Sequence, residues 1–395
     1  MSTDLLRTRI FRALDTFAIE IPSWGFANTG TRFGKFQQAA AASTIEEKFA
    51  DAAEVNRLTG TTPTLALHVL WDLPNGLKDV DNIKALEKKT GVRAGSINPN
   101  LFQDQDYKFG SLCNPSETIR EKAIAHMIDS IEIAKGLSAR DISLWLADGS
   151  NYPGTQSIRK RILWLEEALK ISHDRLAPGQ RLLVEYKPFE PAFYHTDIAD
   201  WGMSSHLARQ SGPKSRVLVD TGHHYSSQNI EQIVAWLLHT GLLGGFHFND
   251  RRYADDDLTL GSIDPYQIFR IFHEIHSGLA ENPDLDIAFM IDQSHNLKGK
   301  IEASVQTVVT AQELWLKAAL IDREQLAVHQ QSCDIVAAEE LFRGAFWADV
   351  RPLAAAWREA HGLPADPLAA LRASGYVERI GQQRGSRTSA VNSYA

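Results

Sequence analysis

The run VLVDTGHHYSSQNIEQIVAWLLHTGLLGGFHFNDRRYADDD fills residues 217–257. Two short apolar stretches inside it, VLV (217–219) and LLGGF (242–246), break off in groups of a different kind. The first ends at Asp220 and His223; the second ends at His247 and leads to Asp250, Asp255, Asp256 and Asp257. Between them, IEQIVAWLL (230–238) has the apolar spacing of a helix packed on one face. The unit is strand–helix–strand. Strands joined by a helical crossover pair in parallel, and parallel strands with their chemistry at the C-terminal ends are the organisation of the TIM (β/α)8 barrel.

The rest of the chain repeats the unit. Strand-like runs occur at 17–24 (FAIEIPSW), 63–71 (PTLALHVLW), 93–100 (RAGSINPN), 141–151 (DISLWLADGSN), 181–189 (RLLVEYKPF), 215–224, 242–250 and 287–295 (IAFMIDQSH). Helical patterns lie near 1–16, 44–59, 82–90, 115–137, 155–172, 198–210, 228–240, 264–277 and 300–320. Eight strands alternating with helices close a TIM barrel. An open doubly wound sheet is the competing architecture, but it would show a glycine-rich phosphate turn after its first strand. The loop GFANTGTRFGKFQQ lacks that pattern, and Phe36 rather than Ser or Thr follows Lys35. The expected organisation is a barrel over 1–320 including an N-terminal helix, a helical C-terminal extension over 321–375, and a polar tail over 376–395 without fixed structure.

Composition agrees with an enzyme of this size. The chain has 395 residues, 44% hydrophobic and 23% charged, with a formal net charge of −8. That charge argues against a nucleic-acid partner, whose phosphates demand Lys and Arg, and permits a neutral small molecule. The two cysteines, Cys113 and Cys333, form no C-x-x-C pair. No long apolar run suggests a membrane span or a signal peptide, so a cytoplasmic location is expected.

Alternation along strands sharpens the site, because residues i and i+2 share a face. In LLVEYKP this aligns Leu183, Glu185 and Lys187; in VLVD, Leu218 and Asp220; in FHFND, His247 and Asn249; in MIDQS, Met290, Asp292 and Ser294. Strand ends five to eight thus offer Glu185, Asp220, His247 and Asp292 in turn. Three carboxylates and an imidazole suit a hard or borderline divalent cation such as Mn²⁺, Mg²⁺ or Co²⁺. His223, Asp255 and Asp257, on the loops above, are candidate ligands of a second cation, although an acidic loop is also a common solvated feature. Two neighbouring cations can polarise adjacent oxygens of one substrate. His68 and Trp71 stand at the end of the second strand. Trp24, Trp145, Phe102 and Phe189 are candidates for an apolar wall. Asp148 and Asn151 read most simply as turn formers.

The motifs IPSWGFANTGTRF, LALHVLWD, YKFGSL, WLADGSNYPG, VEYKPFEPAFY, LVDTGHH, GGFHFNDRRYADDDL and MIDQSHN resemble, in order, those of the L-rhamnose isomerases, in particular the bacterial branch of broad aldose specificity, and more distantly the xylose isomerases. The resemblance implies a metal-dependent TIM barrel interconverting an aldose and its ketose, L-rhamnose and L-rhamnulose; a metal-assisted hydride shift is the expected route, with a cis-enediol route through a carboxylate base as the rival. It implies two divalent cations per subunit, Mn²⁺ foremost with Mg²⁺, Co²⁺ or Zn²⁺ as alternatives. Glu185, Asp220, His247 and Asp292 match the structural-metal ligands, and His223, Asp255 and Asp257 the catalytic-metal ligands. Lys187, His223, Asp255, Asp257 and Asp292 make up the catalytic set. His68, Trp24, Trp145 and Ser294 match substrate-contacting positions. A homotetramer is implied, with the loop holding Phe33 reaching a neighbour's site. Two competing readings remain: an epimerase on the same barrel, which would use two glutamates across one metal, and a non-catalytic sugar-binding protein.

Overall fold

The computed structural model describes residues 3–28, 36–190, 193–295 and 297–385. The described residues include ten strands: β1 (Ile21–Pro22), β2 (Thr64–His68), β3 (Arg93–Asn98), β4 (Asp141–Leu144), β5 (Gly149–Ser150), β6 (Arg181–Glu185), β7 (His195–Thr196), β8 (Ser215–Asp220), β9 (Leu243–Phe248) and β10 (Ala288–Ile291). Eight of them form one parallel sheet in the order β1-β2-β3-β4-β6-β8-β9-β10. Glu20 closes the ring: its N–H donates to Phe289 O and its carbonyl accepts from Ile291 N. The expected TIM barrel is the architecture observed. β5 and β7 form a separate antiparallel pair above it.

The helices are α1 (Thr3–Asp15), α2 (Ile45–Thr59), α3 (Val80–Thr90), α4 (Glu117–Leu137), α5 (Ile158–Arg175), α6 (Trp201–Ser211), α7 (Ile230–His239), α8 (Pro265–Glu281) and α9 (Lys300–Leu320), followed by α10 (Arg323–Gln331), α11 (Ile335–Trp347), α12 (Arg351–Ala360), α13 (Pro367–Ser374) and α14 (Tyr376–Arg384). Local chemistry sets their ends. Thr44 and Glu47 make a reciprocal capping box at the start of α2, and Gly60 ends that helix in the left-handed conformation, which costs a glycine no Cβ clash. Asp side chains cap α6, α8, α10, α11 and α13 by accepting from the third residue on.

Two apolar layers result from strand alternation. The large core lies between sheet and helices and includes Val184, Val217, Val219, Phe246, Phe248 and Ile291. A second, small cluster of Leu183, Leu218, Ala288 and Met290 fills the barrel axis. Leu183, Leu218 and Met290 stand two residues before Glu185, Asp220 and Asp292, so those carboxylates lie on the same inward face, above an apolar floor.

Two sequence expectations change. The strands are shorter than the apolar runs, because their C-terminal portions leave the sheet to build the mouth; the run at 141–151 becomes β4, a turn and β5. The tail expected from residue 376 is helical through Arg384. The Arg384 guanidinium donates to both Asp51 oxygens at 2.8 and 2.9 Å and to Ala40 O at 2.8 Å, which anchors α14 to the barrel. Residues 386–395 lie outside the described residues. Among the described residues, no helix is long and apolar enough to cross a membrane.

Candidate active site

Four strand ends converge at the barrel mouth. Glu185 and Asp220 are the last residues of β6 and β8, His247 is next to last in β9, and Asp292 follows β10. One candidate set of donor atoms from Asp220, His247 and Asp292 lies within 4.8 Å of one another. The His247 Nδ1 stands 3.3 Å from Glu185, 3.8 Å from Asp292 and 3.9 Å from Asp220. Donors fix these carboxylates from outside: Trp24 Nε1 donates to Asp292 Oδ1 at 2.8 Å. Gly222 N donates to Asp220 Oδ1 at 2.6 Å, and the Asn249 amide donates to both Asp220 oxygens at 3.0 and 3.2 Å.

His223 sits between the two expected ligand sets. Its Nδ1 lies 3.1 Å from Tyr186 O and 3.2 Å from Glu185 Oε1. A proton on Nδ1 leaves Nε2 as the ligating atom, 3.5 Å from Asp255 and 3.9 Å from Asp220. The second compact donor set among the described residues is therefore Glu185, Asp220 and His223, rather than His223 with Asp255 and Asp257. Lys187 accounts for the difference at Asp255: its ammonium binds Asp255 Oδ2 at 2.7 Å and also pairs with Glu190. Asp257 lines the same cavity in the left-handed conformation, with φ of 47°.

The electrostatics are those of a crowded acidic site. Burial pushes Asp220 up to about 7, assisted by Glu185, Asp255 and Asp292 and opposed by His223. Burial raises Asp257 well above the usual carboxylate range, with Asp255 and Asp292 adding to it. Burial also opposes ionisation of Glu185, but His247 and His223 beside it win and hold it at about 2. The imidazoles move the other way: burial disfavours charge on His247, yet Glu185 and the neighbouring aspartates lift it to about 9. Lys187 stays charged against the cost of burial because Asp255 and Glu190 face it.

These residues fit a divalent cation. Both His247 ring nitrogens are buried and lack a hydrogen-bond partner, as does Asp255 Oδ1. A buried polar atom without a partner is costly, and a cation among these donors removes that cost. Asp220, His247 and Asp292, with Glu185 beside them, could hold one cation; Glu185, Asp220 and His223 form the second donor group, with Asp255 and Asp257 on the cavity rim.

The cavity over this group has a volume of about 240 Å³. Its other wall is aromatic: Trp24, His68, Trp71, Phe102 and Trp145 all line it. Phe102 packs edge-on against Trp145 with centroids 5.0 Å apart, and the Lys187 ammonium lies 5.2 Å from the Trp145 ring. His68 stacks on Trp71 at 3.9 Å. Burial pushes it down to about 4, so it is a neutral imidazole, and its Nδ1 bond to Val69 O leaves Nε2 as the acceptor. Ser294 is half-buried two residues past Asp292 and does not line the cavity. Phe33 lies outside the described residues. His224, read from sequence as a neighbour, bonds the Tyr186 hydroxyl at 2.7 Å.

Sequence reading passed over Glu190 and the role of Asn249. Glu190 lies beyond the strand, where alternation says nothing. Asn249 carried a signal, its shared face with His247. Asp148, read as a turn former, is instead a buried acceptor for Ser111 N at 2.7 Å and Ser111 Oγ at 2.9 Å.

Comparison with known proteins agrees with the fold. A family model described as xylose isomerase-like TIM barrel matches residues 61–280. A probable sugar isomerase from Mesorhizobium japonicum is 37% identical over 390 residues, covering 97% of this chain and 89% of the relative. Another from Rhizobium meliloti is 37% identical over 374 residues, covering 93% and 86%. The solved structure of a xylose isomerase domain protein from Alicyclobacillus acidocaldarius superposes with a TM-score of 0.54 at 13% identity, covering 77% of this chain and 99% of that one. The 3-keto-D-glucoside 4-epimerase of E. coli gives 0.52 at 14%, covering 72% and 98%; at such identities the likeness is one of fold. This chain belongs to the xylose isomerase-like TIM barrel family.

Proposed function

We propose that this protein is a metal-dependent aldose–ketose isomerase, with L-rhamnose and L-rhamnulose as the first substrate pair to test. The observation that carries the reading is the buried His247 imidazole, which makes no well-aligned hydrogen bond at either nitrogen yet has its Nδ1 3.3–3.9 Å from Glu185, Asp292 and Asp220, beneath a cavity with Lys187 and an aromatic wall. The relatives named probable sugar isomerases support it.

In this reading the hydrogen on C2 of the open-chain aldose moves to C1 as a hydride, and the O2 proton is delivered to O1. Two divalent cations, Mn²⁺ foremost, would supply Lewis acidity toward O1 and O2. Lys187 stabilises negative charge near O1. His68 accepts a sugar hydroxyl at Nε2. Trp24, Trp145 and Phe102 keep water from the reacting carbons. A homotetrameric, cytoplasmic enzyme is part of the proposal, and light scattering on the purified protein tests the assembly.

The decisive assay follows ketose formation from a panel of aldoses before and after full demetallation with EDTA, then with Mn²⁺, Mg²⁺ or Co²⁺ restored. Loss of activity and recovery with metal is expected; activity that survives demetallation defeats the proposal. Solvent deuterium incorporated at C1 would sink the hydride shift in favour of an enediol route. The epimerase alternative predicts inversion of a ketose carbon instead. Asp292, rather than a glutamate, at the eighth strand end speaks against it.

A further inference from the structure

Among the described residues, Arg161 is the largest side chain shut entirely away from solvent. It leaves the first turn of α5 and ends where three loops meet. Its Nε and Nη2 grip the Asp197 carboxylate at 2.6–3.1 Å. Its Nη1 donates to Phe109 O at 2.8 Å and pairs with Gln156. Gly110 lies against the guanidinium: a Cβ there would come within 2.9 Å of Nη2. Around this ion pair, Asp148 accepts from Ser111 and, at 3.0 Å, from the Cys113 thiol, while Asp197 N donates to Asp148 O at 2.9 Å. The loops after β3, β4 and β6 are thus tied to one guanidinium.

Each of these loops carries a wall of the cavity. Thr196 and Ile198 flank Asp197, and they hold the Lys187 backbone on both sides: the Thr196 hydroxyl donates to Lys187 O, and Lys187 N donates to Ile198 O at 2.9 Å. Trp145 stands three residues before Asp148, and the Tyr194 hydroxyl donates to Ala147 O at 2.5 Å. Phe102, from the third loop, packs on Trp145. Exchanging a buried ion pair for apolar side chains is often neutral or stabilising, so stability alone does not account for this one.

We propose that Arg161, acting through Asp197 and Asp148, is a positioning residue that sets where the Lys187 ammonium and the Trp145–Phe102 wall stand over the metal-ligand cluster. The proposal rests on the isomerase reading for its kinetic consequence and on geometry alone for its structural one. Arg161 touches none of Asp220, His247 and Asp292, nor a hydrogen-bond partner of theirs, so its loss should leave cation binding at those strand-end donors alone.

Truncation to alanine would strand the buried Asp197 carboxylate, a strongly destabilising change, so two conservative variants are used. Arg161→Lys keeps the charge and loses the fork; Asp197→Asn keeps the shape and loses the charge. In the full-length protein both should bind Mn²⁺ calorimetrically with a Kd within about twofold of the parent, while kcat on the accepted aldose falls about tenfold and KM changes less, as expected when transition-state charge stabilisation is displaced. Crystal structures of the variants should show Lys187 Nζ and the Trp145 ring displaced. A lowered Tm with unchanged kcat and KM, or an unmoved Lys187 and Trp145, overturns the proposal. If the parent turns over no aldose, the isomerase reading fails by itself, and the crystal structures still decide the positioning role.

Discussion

At the scale of single residues, hydrogen-bond donors behind the ligands matter as much as the ligands. Trp24 reads from sequence as an apolar wall, and it lines the cavity, but its indole N–H also donates to Asp292 Oδ1 at 2.8 Å. Such partners orient a ligating carboxylate, and their loss costs roughly 10–100-fold in metal affinity. Trp24→Phe keeps the wall and removes the donor; it should weaken Mn²⁺ binding about tenfold, read by calorimetry. An unchanged Kd would reduce Trp24 to a wall residue. Glu20 offers a pH test away from the mouth. Its carboxyl points toward Gly95, where no Cβ could fit, and accepts from Ser96 N and Oγ. Burial raises its pKa, against the lowering effect of Ser96. A folded-state pKa above the unfolded one contributes stability that is fully present below the unfolded value and is lost as pH rises through the folded one. Glu20→Gln removes that loss. Its Tm relative to the parent should therefore climb as pH is raised from 5 to 8; a pH-independent difference would mean Glu20 does not titrate.

At the scale of elements, legibility followed periodicity. All eight barrel strands and the helices between them were readable, because apolar alternation and helical spacing report burial on one side of an element. The inward placement of Glu185, Asp220 and Asp292 was readable for the same reason: Leu183, Leu218 and Met290 mark the inward face two residues earlier. What was not readable depended on loops, where no periodicity constrains direction. Lys187 pairing with Asp255, and Asp148 accepting from Ser111, are contacts between segments distant in sequence, while Glu190 meets Lys187 from just past the strand end, where alternation has stopped. The tail failed as an expectation for another reason. Residues 376–384 are mostly polar; Ile380, Tyr376 and Val377 pack on the core, and the Arg384 ion pairs with Asp51 and Glu47 add a hold that periodicity does not report. Asp51 is raised by burial, opposed by Arg384, and Tyr376 donates to it at 2.8 Å. Arg384→Met leaves that carboxylate buried with the tyrosine alone. Breaking a buried pair costs about 3–5 kcal/mol, so the variant should lose roughly that in urea unfolding at pH 8. The loss should shrink at pH 5, where Asp51 can protonate. A pH-independent loss below about 1 kcal/mol would show α14 to be held by packing.

At the scale of the whole molecule, an apolar barrel supports an overcrowded mouth. Glu185, Asp255, Asp257 and Asp292 line one cavity with His223, His247 and the Lys187 ammonium, and Asp220 is buried just behind the two imidazoles. The cost of bringing these carboxylates together is met by the rest of the fold, the usual relation between a functional site and its scaffold. Cation binding should relieve it. A ligand of the folded state alone stabilises by RT ln(1 + [L]/Kd), about 2.7 kcal/mol at a hundredfold excess over Kd, so Mn²⁺ should raise Tm and EDTA lower it. Asp257 is where the two effects separate. Asp257→Asn removes a carboxylate that Asp255, Asp292 and Asp220 all oppose, so the metal-free variant should melt higher than the metal-free parent at pH 8. If Asp257 also holds a cation, the variant should gain less from Mn²⁺ than the parent, and the two Tm curves should converge or cross as Mn²⁺ is titrated. Parallel curves would mean that Asp257 crowds the mouth without binding metal there.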